Sequence, residues 1–398
     1  METALEASNA TLLKLSHGQT GSVEQMSASP SFIANIADTP TAVVYCEDNF
    51  AKIDGKTANG LVRHSQAYRI VSVVDSLHDG HDSGLVLDGV KNGIPIFDKL
   101  EAAVVHESAI PDTLIYGMAP STGKLSSSDR GVVLDAIALG MNIVSGLHEY
   151  LTDDPEISAF ASEHGVTIRD IRKPKKSKDM RLFDGSVESV DALRIAVLGT
   201  DCAIGKRTTA TVLANALNAK GIKTVLVGTG QTGLMQGAKY GVAMDAVPPQ
   251  FCCGELEGAI VAASDAEQPK VILIEGQGAL SHPAFCTSAF ILRGSQPDAV
   301  ILQHAPKRQH RCDFPNMLMP NPADEIALIE AFANTKVIGV TINHEGMSDA
   351  EIDTAIKDHA LRLDLPVTDA LSRPVTHLLS MVVAAYPVLR ETPIVAAE

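Results

Sequence analysis

Short aliphatic runs alternate with stretches whose apolar positions recur at helical spacing, from Thr41 to near the end of the chain. Runs at 42–46, 68–74, 94–97, 113–116 and 142–146 predict strands, and 56–65, 99–105 and 130–139 predict helices. The pattern resumes at Leu193. Strands are predicted at 193–198, 224–227, 270–274, 299–302 and 337–340, with helices at 206–219, 252–263 and 349–360. Runs such as Val271-Ile272-Leu273-Ile274 show no polar alternation, as expected of strands buried on both faces of a parallel sheet. Strand–helix alternation of this kind implies an α/β fold with two doubly wound, parallel-sheet domains. The expected division is an N-terminal arm at 1–40, a first domain at 41–168, a linker at 169–192 and a second domain at 193–398. The arm is rich in Ser, Ala, Thr and Gly, with one short helix expected around Leu12–Leu15. The linker is basic and contains a proline, in Arg172-Lys173-Pro174-Lys175-Lys176.

Composition sharpens this picture. A chain of 398 residues fits two domains of ordinary size. Trp is absent and aromatic residues make up only 4%, so the cores must be aliphatic. The formal net charge of −16 repels nucleic acid and anionic membranes, and neither is expected as a partner. An anionic ligand must therefore meet a local positive site. The six cysteines form no Cys-x-x-Cys pair and read as reduced thiols. No basic-then-apolar leader follows Met1, and no apolar run approaches the ~20 residues of a membrane span. A cytoplasmic location is expected.

The strongest motif is Gly199-Thr200-Asp201-Cys202-Ala203-Ile204-Gly205-Lys206-Arg207-Thr208. It follows an aliphatic strand and opens a helix, the setting of a phosphate-binding loop, so the second domain reads as P-loop NTPase-like. Backbone N–H groups of residues 203–208 would face a phosphate, and the helix N-terminus adds partial positive charge. Lys206 supplies the formal charge. Asp201 to Thr208 are the expected cofactor-binding residues. The motif departs from the common form in two ways. Five residues separate Gly199 from Gly205, and Arg207 stands where a Ser or Thr would ligate magnesium. Thr208 comes one residue late, about 100° round the helix.

Three further polar loops leave the carboxyl ends of strands, where open α/β sheets bind ligands. The first, 228–233, offers Gln231, Thr232 and Gly233 for substrate binding. The second begins with Glu275, which ends a buried strand and is a candidate general base or metal ligand, and includes His282, a second candidate catalytic residue. The third, 303–313, holds Lys307, Arg308 and Arg311, a positive cluster suited to a carboxylate-bearing small molecule, and His304 beside it is a further candidate for substrate binding. The spacing of His304, His310 and Cys312 matches no common zinc pattern, and no metal site is expected. In the first domain, Asp75 ends a strand like the ribose-binding acid of dinucleotide folds, but no Gly-x-Gly-x-x-Gly accompanies it.

Several segments together resemble a bacterial and archaeal family long described only as having unknown function. They are Ile143-Val144-Ser145-Gly146-Leu147-His148-Glu149, Gly199-Thr200-Asp201-Cys202, Gly205-Lys206, Gly230-Gln231-Thr232-Gly233, Ile274-Glu275-Gly276-Gln277-Gly278 and Gln296-Pro297-Asp298. The resemblance extends from about Thr41 to Pro366. It implies a Rossmann-like N-terminal domain followed by a P-loop domain. Apart from the resemblance, His148 of the first domain is expected, with residues 121–124, to face the loop Gly199–Thr208 as a substrate contact. The loop is similar to that of dethiobiotin synthetases, which have Thr where this chain has Arg207. One branch of the family is a D-glutamate N-acetyltransferase using acetyl-CoA. The resemblance therefore implies an amino-acid N-acetyltransferase whose loop holds CoA phosphates, with Glu275 or His282 taking a proton from the substrate ammonium. The alternative is a ligase or kinase using ATP with magnesium, in which Asp201 and Glu275 hold the metal. A non-enzymatic nucleotide sensor is the third reading. A homo-oligomer is the expected assembly.

Overall fold

Buried aliphatic strands dictate the architecture seen in the computed structural model, which describes residues 39–120 and 122–391. The arm before Thr39, with its expected helix around Leu12–Leu15, lies outside the described residues. The chain divides into two units, the first reaching Lys173 and including Met235–Gly237, the second holding the remainder.

The first unit contains β1 (Thr41–Tyr45), α1 (Lys56–His64), β2 (Arg69–Val74), α2 (Ser83–Asp88), β3 (Ile96–Phe97), α3 (Leu100–His106) and β4 (Thr113–Tyr116). It continues through α4 (Ser127–Ala138), β5 (Asn142–Ser145), α5 (Pro155–Glu163) and β6 (Ile168–Asp170). All six strands are parallel, in the order β3-β2-β1-β4-β5-β6, the doubly wound arrangement of Rossmann-like domains. Asp75 is fully buried beyond β2, where it accepts the Asp48 N–H at 2.8 Å and holds His78 Nδ1. Both of its oxygens thus have local partners.

In the second unit the order of elements is β7 (Leu193–Gly199), α6 (Lys206–Ala219), β8 (Thr224–Gly228), α7 (Gln231–Gln236), β9 (Tyr240–Gly241), α8 (Pro249–Glu267) and β10 (Val271–Glu275). Then come α9 (Thr287–Ser295), β11 (Ala299–His304), β12 (His310–Arg311), β13 (Phe314–Leu318) and α10 (Pro322–Phe332). The last are β14 (Lys336–Ile342), α11 (Asp349–Leu363), β15 (Val367–Asp369) and α12 (Val375–Ala385). Seven parallel strands lie in the order β15-β14-β11-β7-β10-β8-β9, and β12 and β13 form a separate antiparallel pair. Alternate strand residues feed two cores. Ala196, Ile272 and Val300 pack with Leu256 and Ile260 of α8, whereas Ile195, Leu273 and Ile301 pack with Leu213 of α6 and Val382 of α12. Helices on both faces explain why the strands carry no polar alternation.

The stretch 169–192, expected as a linker, begins inside β6. Part of the rest is packed against the second unit's core. Val187, Val190 and Ala192 enter the second core, and the fully buried Glu257 accepts the N–H groups of Asp184 and Val187 at 3.0 and 3.2 Å. Lys175 pairs with Glu255 at 2.9 Å. Apolar residues scattered through a segment without helical or strand period gave no sequence signal of this docking.

Candidate functional site

β7 runs between β10 and β11 and delivers the phosphate loop at the middle of the sheet's carboxyl edge. Gly199 is tightly enclosed: a side-chain carbon there would lie 2.9 Å from Ile204 Cδ1 and 3.0 Å from the Gln303 carbonyl oxygen. Two residues of the loop adopt left-handed backbone, Ala203 at φ +48° and Gly205 at φ +99°. Gly205 is the N-cap of α6, and no side chain caps that helix. The first-turn N–H groups thus stay available for an anion, with the helix dipole behind them. Thr200 anchors the loop to β11 through its N–H on the Gln303 carbonyl at 3.0 Å and its hydroxyl against His304 Nδ1 at 2.9 Å. Burial pushes the His304 imidazole down to about 4, so it stays neutral.

Lys206 is buried and folds back so that Nζ donates to the Asp201 carbonyl. Burial holds its ammonium below the ordinary lysine range. A phosphate at the loop would supply the counter-charge, so these residues fit a phosphate-bearing ligand. Lys206→Ala is expected to weaken that ligand by about 1.5–3 kcal/mol, the scale of a hydrogen bond to a charged group. Titration calorimetry giving wild-type affinity would remove Lys206 from the site.

Asp201 organises the floor of the loop. It is fully buried, and its Oδ2 accepts from Arg308 at 3.0 Å and from the Cys312 N–H at 2.7 Å. Its Oδ1 lies 3.9 Å from His282 Nε2, and neither atom has a hydrogen-bond partner among the described residues. His282 Nδ1 accepts the Ala284 N–H at 3.2 Å, which leaves the neutral ring's proton on Nε2, facing Asp201. Burial, helped by the charge of Arg311, holds His282 below the ordinary histidine range, and its ring packs between Phe285 and Phe314.

Arg308 braces the loop. Besides Asp201, it pairs with both oxygens of Glu345 at 2.8 Å and donates to the carbonyls of Cys202 and Ala203 at 2.8 and 3.2 Å. Arg311 donates to the Thr200 carbonyl at 3.2 Å and to Ser281 Oγ at 2.8 Å. Lys307 bonds the Gly346 carbonyl at 2.7 Å and pairs with Glu351 at 2.7 Å. The positive cluster read from the sequence as a carboxylate site is therefore engaged within the chain, and Arg308 is fastened to the loop itself.

Glu275 ends β10 and is buried. Its Oε2 accepts the Thr229 N–H at 3.1 Å. Gly233 presses so close that a side-chain carbon there would lie 2.3 Å from the same oxygen, which explains a glycine at this point in α7. Burial raises the Glu275 carboxyl above the usual range. The charge of Arg207 opposes this first, then the N–H groups of Thr229 and Gly230, then Lys206. Glu275, Arg207, Lys206 and the 229–233 loop thus share one electrostatic neighbourhood, with Gln231 and Thr232 buried beside it at the start of α7. His148 is exposed in the first unit, its N–H on the Gly123 carbonyl at 3.0 Å and Gly123 packed against its ring. No group of three or more His, Cys, Asp or Glu side chains is arranged to hold a metal among the described residues. Gln303, Asn343 and Glu345 also reach the loop. Gln303 opens the third polar loop read from the sequence, which assigns it no role. Asn343 and Glu345 escape that reading because the predicted strand stops at Val340 and the residues directly after it carry no assignment.

Comparisons with known proteins agree with this architecture. A domain of unknown function described as the DUF1611 C-terminal P-loop domain matches residues 181–379, and the DUF1611 N-terminal Rossmann-like domain matches residues 76–174. A Tritonibacter scottomollicae protein named D-glutamate N-acetyltransferase is 33% identical over 65% of this chain and 77% of its own length. A Pseudoalteromonas protein of the same name is 31% identical over 76% of this chain and 91% of its own length. The crystal structure of a DUF1611 family protein from Anabaena variabilis superposes with a TM-score of 0.80 at 29% identity, covering 87% of this chain and 99% of that one. With both domains matched and both sheets in place, the chain belongs to the DUF1611 family.

Proposed function

We propose that the chain is an N-acetyltransferase that moves the acetyl group of acetyl-CoA to the amino group of a D-glutamate-like amino acid. One observation carries the reading. One oxygen of the carboxylate that would serve a magnesium ion at the loop is already held, because Asp201 Oδ2 accepts from both Arg308 and the Cys312 N–H, while Oδ1 faces His282 Nε2 at 3.9 Å. Arg207 also stands in place of the metal-binding hydroxyl and lies beside Glu275, the second acid such a metal would need. A loop of this kind suits phosphates that are bound, not transferred. The names of the two curated relatives support the same reading.

In this scheme Lys206 and the first-turn N–H groups of α6 hold the phosphates of CoA, which brings the acyl group as a thioester. Glu275 takes one proton from the substrate ammonium, because only the neutral amine has the lone pair that attacks a thioester. The raised proton affinity of Glu275 suits that task. The C–N bond forms, the C–S bond breaks, and CoA leaves as its thiol with the second proton lost by the nitrogen. His282 carries its proton on the nitrogen facing Asp201, so it serves as a hydrogen-bond donor, and Glu275 is the base. Arg207→Ser is expected not to create an ATPase, since Asp201 stays bound to Arg308. Thermal shift tests the scheme: acetyl-CoA and CoA should stabilise the protein in EDTA. Stabilisation by ATP that strictly requires magnesium, or ATP hydrolysis gained by Arg207→Ser, would contradict it and favour a ligase or kinase.

A further inference from the structure

Gln303, the last residue but one of β11, lies opposite Gly199 of β7 on one side and Thr341 of β14 on the other. It is almost completely buried. Two hydroxyls donate to its carbonyl oxygen, that of Thr209 at 2.6 Å and that of Thr341. Both belong to buried residues, and in this arrangement the amide nitrogen faces away from them. The orientation of Asn343, just beyond β14, is fixed, because its Oδ1 accepts the backbone N–H of Glu345 at 2.9 Å. A backbone N–H can only donate, so the amide nitrogen of Asn343 must be on the other side. Both nitrogens are directed at one point of the loop. A side-chain carbon built on Gly205 would lie 3.6 Å from Gln303 Nε2 and 3.9 Å from Asn343 Nδ2. Neither nitrogen donates a hydrogen bond among the described residues.

We propose that Gln303 and Asn343 form a pre-oriented pair of neutral donors that binds the oxygens of a pyrophosphate group held on the loop Gly199–Thr208. The inference rests on the reading of that loop as a phosphate site and adds the residues that recognise the group from the side of β11 and β14. A second cation there would compete with Lys206 for burial, whereas an amide supplies N–H donors without a further desolvated charge. Asn343 also belongs to the brace. Asn343 holds Glu345 by its backbone, Glu345 holds Arg308, and Arg308 holds the Cys202 and Ala203 carbonyls. Asn343 and the loop are therefore positioned by one network, and Gln303 is held by Thr209 of α6 and Thr341 of β14.

The test is titration calorimetry of the full chain with inorganic pyrophosphate and with CoA. Gln303→Glu keeps the acceptor for Thr209 and Thr341 but replaces the NH2 group by an anionic oxygen. Asn343→Asp does the same at the half-buried position, and it provides the reading if Gln303→Glu does not fold. Each is expected to weaken both ligands roughly tenfold or more, the scale of one lost hydrogen bond to a charged group. Wild-type binding with both variants inside twofold of it would overturn the amide pair and leave the phosphate loop standing. Failure of the wild type to bind either ligand would overturn the loop reading itself, and the amide pair with it.

Discussion

Glu275→Gln is expected to lower kcat for acetyl transfer by roughly 10²–10⁴-fold, the usual contribution of a positioned general base. Affinity for CoA should change little, because the substitution keeps an acceptor for the Thr229 N–H and leaves Lys206 in place. The pH profile gives a second check. Catalysis requires the ionised carboxylate, and burial raises its pKa above the usual range, so the acid limb of kcat should lie above that of an ordinary glutamate. The sign for stability is opposite. The folded protein binds this proton more tightly than the unfolded chain, so stability contributed by the protonated form is lost as pH rises from the ordinary carboxylate pKa through the raised one. Glu275→Gln should remove that slope. A variant with wild-type kcat and an unmoved profile would take Glu275 out of the chemistry.

Arg308→Met is expected to cost about 3–5 kcal/mol of stability, the penalty for leaving a buried partner charge uncompensated. Asp201 has no exposure to water, and among the described residues Arg308 is the only cation that donates a hydrogen bond to it, the Cys312 N–H being the other donor. Glu345, by contrast, is partly exposed and can be hydrated when the arginine goes. The loss should therefore be recovered in large part by adding Asp201→Asn. Urea denaturation of the full chain, run as a double-mutant cycle, separates the terms. A loss below about 1 kcal/mol for Arg308→Met would mean that water or His282 already satisfies Asp201.

These predictions draw unequally on sequence and on structure. The loop was legible because its chemistry is local: glycines at its two ends, a lysine at the helix start and an aliphatic strand before it. The helix Lys206–Ala219 and the strand Thr113–Tyr116 begin and end where the apolar pattern places them. Glu275 was legible because a charged residue closing a fully aliphatic run must sit at a sheet edge. The role of Arg308 was not. Its partner Glu345 lies 37 residues away and Asp201 lies 107 residues away, so only the adjacency of β7, β11 and β14 joins them. The helices Thr287–Ser295 and Pro322–Phe332 went unread for a different reason. The first is short and holds a glycine near its end, and the second follows a Met-Pro-Asn-Pro stretch that reads as loop. The same holds for β12 and β13, whose residues are mostly polar or exposed and pair only with each other.

Mass spectrometry of the product tests the central claim most directly. The full chain is incubated with acetyl-CoA carrying an isotopically labelled acetyl group, with D-glutamate and with excess EDTA. The account predicts labelled N-acetyl-D-glutamate and free CoA thiol in equal amounts, at a rate unchanged by added magnesium. Absence of labelled product in EDTA, with activity restored only by magnesium and ATP, would contradict it.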